Sequence, residues 1–160
     1  MDVLRGQLVQ AVLGAPPADL PMVAAQALAR GLDSPALREV AGLGRTDPAE
    51  ELFTEALAEL GLSWPTPGQA HLYAARHLCA RLLGGEPDAA RAAAAAEDVY
   101  HHLCLAAAHG EGDHDYRSFL DLAYEWDADR RAGVVPAPGR ERAVVAHFRE
   151  LARELLAASG

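Results

Sequence analysis

Apolar residues recur every three or four positions along most of the chain, and proline or glycine interrupts the pattern at short intervals. This is the pattern of amphipathic helices joined by tight links. Leu4, Leu8 and Val12 form the first stripe, predicting a helix from near Asp2 to Val12 that Gly14 ends. After Pro16-Pro17, a second helix is capped by Asp19 or Leu20, tolerates Pro21 in its first turn and stops at Gly31. Ser34-Pro35, a capping side chain followed by an N1 proline, opens a third helix that ends near Gly42 or Gly44. Asp47-Pro48-Ala49-Glu50 reads as a capping box for a fourth, carrying Leu52, Phe53, Ala56, Leu57 and Leu60 up to Gly61. Thr66-Pro67-Gly68-Gln69 repeats that device for a fifth helix, which places Leu72, Ala75, Cys79 and Leu82 on one face and ends at Leu83.

A sixth helix runs from about Asp88 to Ala108 and holds an alanine run from Ala92 to Ala96, which is helical by intrinsic propensity. A seventh begins near Asp113 or Asp115, with Tyr116, Phe119, Ala123 and Trp126 along one stripe. Beyond the irregular link 133–139, the last helix spans Arg140 to Ala157 through Val144, Phe148, Leu151 and Leu155. No segment alternates apolar and polar residues long enough to make a strand. Short connections make successive helices antiparallel neighbours. The expected fold is therefore an all-α compact bundle of about eight helices, in one domain spanning 1–160. A short HEAT-like array is the alternative, although no segment repeats at a fixed period.

Composition supports helices and narrows the function. The chain has 160 residues, 51% of them hydrophobic and only 6% aromatic, which excludes an acidic disordered chain and disfavours a sheet. All 14 basic residues are arginines, and the net charge is -9. Residues 1–80 carry nine acids against five arginines, and residues 81–160 fourteen against nine, so no basic block invites nucleic acid or anionic lipid. No apolar run approaches the roughly 20 residues of a membrane span. Two cysteines without a secretory leader point to the cytoplasm.

The segment Leu20 to Leu43, LPMVAAQALARGLDSPALREVAGL, resembles a group of small helical proteins of high-GC actinobacteria. The resemblance continues through Thr46-Asp47-Pro48, the helix end Leu57-Ala58-Glu59-Leu60-Gly61 and Leu122 to Asp127 with its Glu125-Trp126 pair, touching about two thirds of the chain. These are caps, core leucines and stop glycines. The resemblance implies a fold and a source, and no catalytic residue.

The residues richest in chemistry are Glu97, Asp98, His101, His102 and Cys104 on the sixth helix. Glu97 and His101, like Asp98 and His102, stand four apart and share a face. Imidazole and carboxylate at that spacing are ligands for zinc or another divalent transition metal, and His77 and Cys79 on the fifth helix are candidates to complete the set. His109, Asp113 and His114 follow. Against this reading, the chain has no HExxH, no CxxC and no second Glu-x-x-His, and both cysteines lie on apolar stripes.

Catalysis has less support. Ser34 reads as a cap, and Ser63, Ser118 and Ser159 stand in no nucleophile motif. Phosphate-loop and dinucleotide fingerprints are missing from the chain. Glu125, Asp127 and Asp129 around Trp126 read as wet acids beside a core anchor. A pocket lined by Trp64, Tyr73, Tyr100 and Trp126 is a weaker possibility.

Glu51, Glu55 and Glu59, with Glu50 beside them, make an acidic row four residues apart that no arginine of the same helix offsets. Such a row repels itself by roughly 0.2–0.5 kcal/mol per pair. In an acidic protein it is either a plain solvated face or a surface that speeds encounter with a basic partner. The leading expectation is a small acidic interaction module, of adaptor, immunity or regulatory type, that docks a basic protein surface through Glu51, Glu55 and Glu59. A metal-binding protein or metal enzyme using His101, His102, Glu97, Asp98 and His77 is the alternative.

Overall fold

The computed structural model describes residues 2–14, 19–112, 116–133, 137 and 139–158. Among them the chain is all α, with eight helices and no strand: α1 (Asp2–Val12), α2 (Leu20–Ala29), α3 (Pro35–Gly42), α4 (Glu50–Glu59), α5 (Pro67–Leu83), α6 (Ala89–Ala108), α7 (Arg117–Arg131) and α8 (Arg140–Ala157). The fold class is the multi-helix bundle that the apolar periodicity predicts. Contacts group into two units, Met1–Ala70 and His71–Gly160. Asp113, Asp115 and most of the link 133–139 lie outside the described residues, so the expected start of α7 and the shape of that link are not assigned.

In the first unit, α3 packs on both α2 and α4, and α1 lies against α2. Val23, Ala24 and Ala27 of α2, Leu37 and Val40 of α3, and Phe53, Ala56 and Leu57 of α4 form the dry centre, which Leu4 and Leu8 of α1 join. Phe53 and Leu37 are fully buried. Each such side chain contributes about 1.5–3 kcal/mol by leaving water. Gln7 of α1 donates from Nε2 to Gln26 Oε1 of α2 at 3.1 Å, a polar clasp at the edge of this core.

The second unit is organised on α6, whose Ala92, Ala96, Val99, Leu103 and Ala106 are buried. α7 and α8 both pack on α6 and on each other, as in a bundle. They bring Phe119, Leu122, Trp126, Val144, Phe148 and Leu155 to it, with Ala75, Cys79 and Leu82 of α5 in the same cluster. Phe119 and Phe148 meet edge to face at 6.2 Å between ring centres, the arrangement that ring quadrupoles favour.

Three helix starts, those of α2, α3 and α5, are capped as the sequence predicts, and Asp88 caps α6. Asp19 Oδ1 accepts from the Met22 N–H at 3.2 Å, Ser34 Oγ from Leu37 N–H at 3.3 Å and Asp88 Oδ1 from Arg91 N–H at 2.8 Å. Thr66 and Gln69 make a reciprocal box: Gln69 N–H donates to Thr66 Oγ1 at 3.1 Å, and Thr66 N–H to Gln69 Oε1 at 3.2 Å. These bonds satisfy N–H groups that have no intrahelical acceptor. At the other ends, Gly31 (φ 86°) and Gly61 (φ 68°) take the left-handed turn that a Cβ resists. That turn lets Leu32 N–H reach Ala27 O at 3.1 Å, and Leu62 N–H reach Leu57 O at 2.8 Å.

One start differs from the expectation. The N-cap of α4 is Ala49, with no side-chain cap bond. Asp47 instead turns back, its Oδ2 accepting from Gly44 N–H at 2.7 Å, while its own N–H donates to Gly44 O at 3.0 Å. The carboxylate thus closes the turn that leaves α3: a bond back to the preceding backbone and an N-cap compete for the same short side chain.

Ser34 is the one buried polar side chain among the described residues. Ser34→Ala removes its bond to Leu37 and is expected to destabilise the chain by about 1 kcal/mol, read as a lowered midpoint in urea denaturation followed by circular dichroism.

Candidate functional site

The acidic row of α4 separates into two parts. Glu51 and Glu55 are exposed, and neither forms an ion pair among the described residues. Glu59 behaves differently: its Oε2 accepts from the Ala36 N–H at 3.0 Å, in the first turn of α3. A carboxylate in the last turn of its own helix sits at the unfavourable end of the dipole, whereas the N-terminus of α3 attracts it. Glu59 is therefore a structural cap acting across two helices. Glu59 is exposed like the other two, but its Oε2 is engaged because the packing of α3 against α4 brings an orphan N–H within its reach.

On the Glu51 side of α4 stands Trp64. Its ring packs on Phe53 at 5.8 Å between centres, and its Nε1–H donates to Thr54 Oγ1 at 3.0 Å. Thr54 in turn donates to Glu50 O at 2.8 Å. Thr54 is three residues from Glu51, so the half-buried indole is fastened to the side of α4 that carries Glu51, whereas Glu55 projects from a different side of the helix. The sequence did not link Trp64 with the acids. The link depends on how the segment after Gly61 folds back along α4.

The histidines of the second unit assemble differently from the spacing on α6 alone. His71 of α5 and His102 of α6 approach to 3.0 Å between their Nδ1 atoms, with ring centres 5.3 Å apart. His109 stacks on His71 as well, with ring centres 6.3 Å apart and planes 10° from parallel. Both close imidazoles are half-buried. Burial pushes His71 below its ordinary range, and the nearby His109 and His101 add to this. Burial lowers His102 in the same way, with help from His71 and His101, while Asp98 opposes it. Two imidazoles this close share one proton between facing nitrogens and resist charging together.

His101, Glu97, Asp98 and His77 are all exposed. His77 stacks on Tyr73 of its own helix, at 6.1 Å between centres. Among the described residues no group of three or more His, Cys, Asp or Glu side chains is placed to hold a metal ion. His114 and Asp113 lie outside the described residues, as does Ser159.

The sequence reading passed over His71, although a signal was present. Its distance in residues from the turn at 84–88 nearly equals that of His102, and antiparallel helices of equal rise bring such positions together. His77 is nearer that turn, so its counterpart on α6 falls within the alanine run.

The thiols are separated too. Cys79 is fully buried, and burial pushes it up to about 12. Cys104 is half-buried and hydrogen-bonded to Tyr100. The aromatic residues considered for a pocket have local partners instead: Tyr100 packs on Tyr116 at 5.8 Å, and Trp126 is buried with no partner for its Nε1. Glu125 pairs with Arg140 at 3.3 Å, and Asp127 pairs with Arg131. An open groove of about 630 Å³ lies between the start of α6 and α8, over Pro87, Ala89, Val145 and Ala146, with Glu86, Glu141, Arg142 and Arg149 around it. Its rim mixes both signs of charge, and Arg149 is already engaged with Gly85 O at 3.2 Å. No helix among the described residues is long and apolar enough to cross a membrane.

The chain matches no protein-family model, no curated protein and no solved structure.

Glu59→Ala is expected to lower stability by about 0.5–1 kcal/mol, because a charge-assisted bond at a helix N-terminus is lost. Glu55→Ala is expected to be neutral or slightly stabilising, since it only relieves repulsion along α4; paired thermal melts check the difference in sign. In alkylation with iodoacetamide at pH 8, the native chain is expected to react at Cys104 and leave Cys79 unmodified until denaturant is added, as read by mass spectrometry.

Proposed function

We propose that this chain is an acidic, cytoplasmic protein-interaction module whose Met1–Ala70 unit receives a basic, arginine-bearing surface of a partner on α4. The observation that carries this reading is the fastening of a half-exposed indole, Trp64, to Thr54 on the side of α4 that carries the unpaired Glu51, with Glu55 exposed one turn further on. Arginine suits such a surface: its guanidinium pairs with carboxylates through a rigid fork and stacks on an aromatic face. Tryptophan and arginine are also the side chains that most often dominate interface energies. The exposed carboxylates would act chiefly on encounter, drawing the partner in at a rate that falls with salt. Glu59 contributes by holding α3 and α4 in register and does not contact the partner. No arrangement of nucleophile, base and oxyanion donors among the described residues favours a catalytic reading.

The test uses the full chain and a short arginine-rich peptide. Trp64 fluorescence reports binding, while the buried Trp126 serves as an internal reference. The peptide is expected to bind in low salt, to weaken as salt rises and to bind more tightly than a lysine-rich peptide of equal charge. Glu51→Arg combined with Glu55→Arg is expected to weaken binding by roughly fivefold or more, with the helical spectrum unchanged. Equal affinity in the wild type and this double variant would overturn the reading.

A further inference from the structure

We propose that the facing imidazoles of His71 and His102 are a proton-operated latch, which fastens the leading turns of α5 to the closing turns of α6 at neutral pH and releases them in acid. The latch lies within the His71–Gly160 unit and is independent of the docking surface on α4.

The two rings meet through Nδ1 atoms 3.0 Å apart. One ring nitrogen bonds another only if one carries a proton and the other a lone pair. The neutral pair meets this condition, with one Nδ1–H donating to the other Nδ1. A first added proton is accommodated too, because it goes to the free Nε2 of the donor ring and leaves the bond in place. A second added proton has only the accepting Nδ1 to occupy. Two N–H groups then face one another on two cations, and repulsion replaces the bond. The contact therefore holds only while the pair carries no more than a single positive charge.

The groups around the pair sharpen this condition. His109 of α6 stacks on His71, and His101 lies 6.2 Å from His102 between ring centres. These imidazoles gain charge in the same pH range. Asp98, one turn before His102 on α6, opposes them but is exposed. No carboxylate stands within four residues of His71 on α5. The segment leading into α7 meets another side of α6, where Tyr100 packs on Tyr116, and α8 brings apolar Val144, Phe148 and Leu155 to the core. No three of the histidines and acids converge as metal ligands among the described residues, so the proton is what this pair exchanges.

Burial holds both rings below the ordinary imidazole value of 6.5. The folded chain thus takes up fewer protons here than the unfolded chain. Stability from the pair is whole above pH 6.5 and is lost as pH falls below it. Position gives the latch its leverage. From Ala75 onward, α5 is held by Ala75, Cys79 and Leu82 in the shared core, whereas Leu72 ahead of them is only partly buried. The imidazole bond bears a larger share of the hold on those first turns.

The experiment is a double-mutant cycle of His71→Ala and His102→Ala in the full chain, with folding constants from urea denaturation at about pH 8 and about pH 5. The two side chains are expected to favour folding jointly by roughly fivefold at the higher pH, and this coupling to vanish or invert at the lower. Proton magnetic resonance of the wild-type rings, which needs no variant, is expected to show two separate titration steps, the second below the ordinary imidazole range. Amide exchange ahead of Ala75, corrected for the intrinsic effect of pH, is expected to rise about fivefold or more in acid relative to that beyond Cys79. The proposal is overturned by a coupling equal at both pH values or absent at the higher, by two rings that titrate independently, or by α5 amides whose relative exchange stays constant.

Discussion

Along α6 the residues Ala89, Ala92, Ala93, Ala96, Val99, Leu103 and Ala106 leave water together, and the whole His71–Gly160 unit is arranged around that face. Alanine removes little apolar area per residue, so such a face is stabilised only if neighbouring helices come close enough for many weak contacts. The bulk is supplied from the other side, by Phe119, Leu122 and Trp126 of α7 and by Val144, Phe148 and Leu155 of α8. A small-residue helix opposed by large side chains leaves little freedom of register, because sliding either helix opens voids or forces overlap. The register in turn decides which polar residues meet at the margins. His71 and His102 come together there because α5 contributes Ala75, Cys79 and Leu82 to the same cluster.

In the Met1–Ala70 unit the corresponding role falls to α3, a helix of only eight residues with Leu37 and Val40 fully buried. A helix this short is not stable by itself. It is held by cores on both sides and by two acceptors at its start, Ser34 from its own chain end and Glu59 from α4. The negative charge that looks misplaced at the end of α4 is thus accounted for by its neighbour. Glu55 and Glu51, one and two turns earlier, have no such neighbour and face water, Glu51 on the side that holds an indole. The functional proposal rests on this division: an acid with an orphan N–H nearby becomes structure, and an acid without one remains available to a partner.

The α4 surface would work through exposed charge and an aromatic face, with energies that salt screens readily.

Sequence alone determined the helices, their stop glycines and several of their caps. Each rests on contacts three to five residues apart, as with Ser34 and Leu37, Thr66 and Gln69, or Leu62 and Leu57. It also identified most of the buried stripes, since a period near 3.6 marks which face turns inward. It misassigned a cap where one short side chain had two local choices: Asp47 closes the turn behind it and leaves α4 uncapped by a side chain. Tertiary structure alone decided that Glu59 caps α3, that Trp64 joins the Glu51 side of α4 and that His71 meets His102. Each pairs residues on different segments through the relative register of packed elements. A helix's own period shows which face is buried, but the fit of side chains between elements sets how far one is shifted along another.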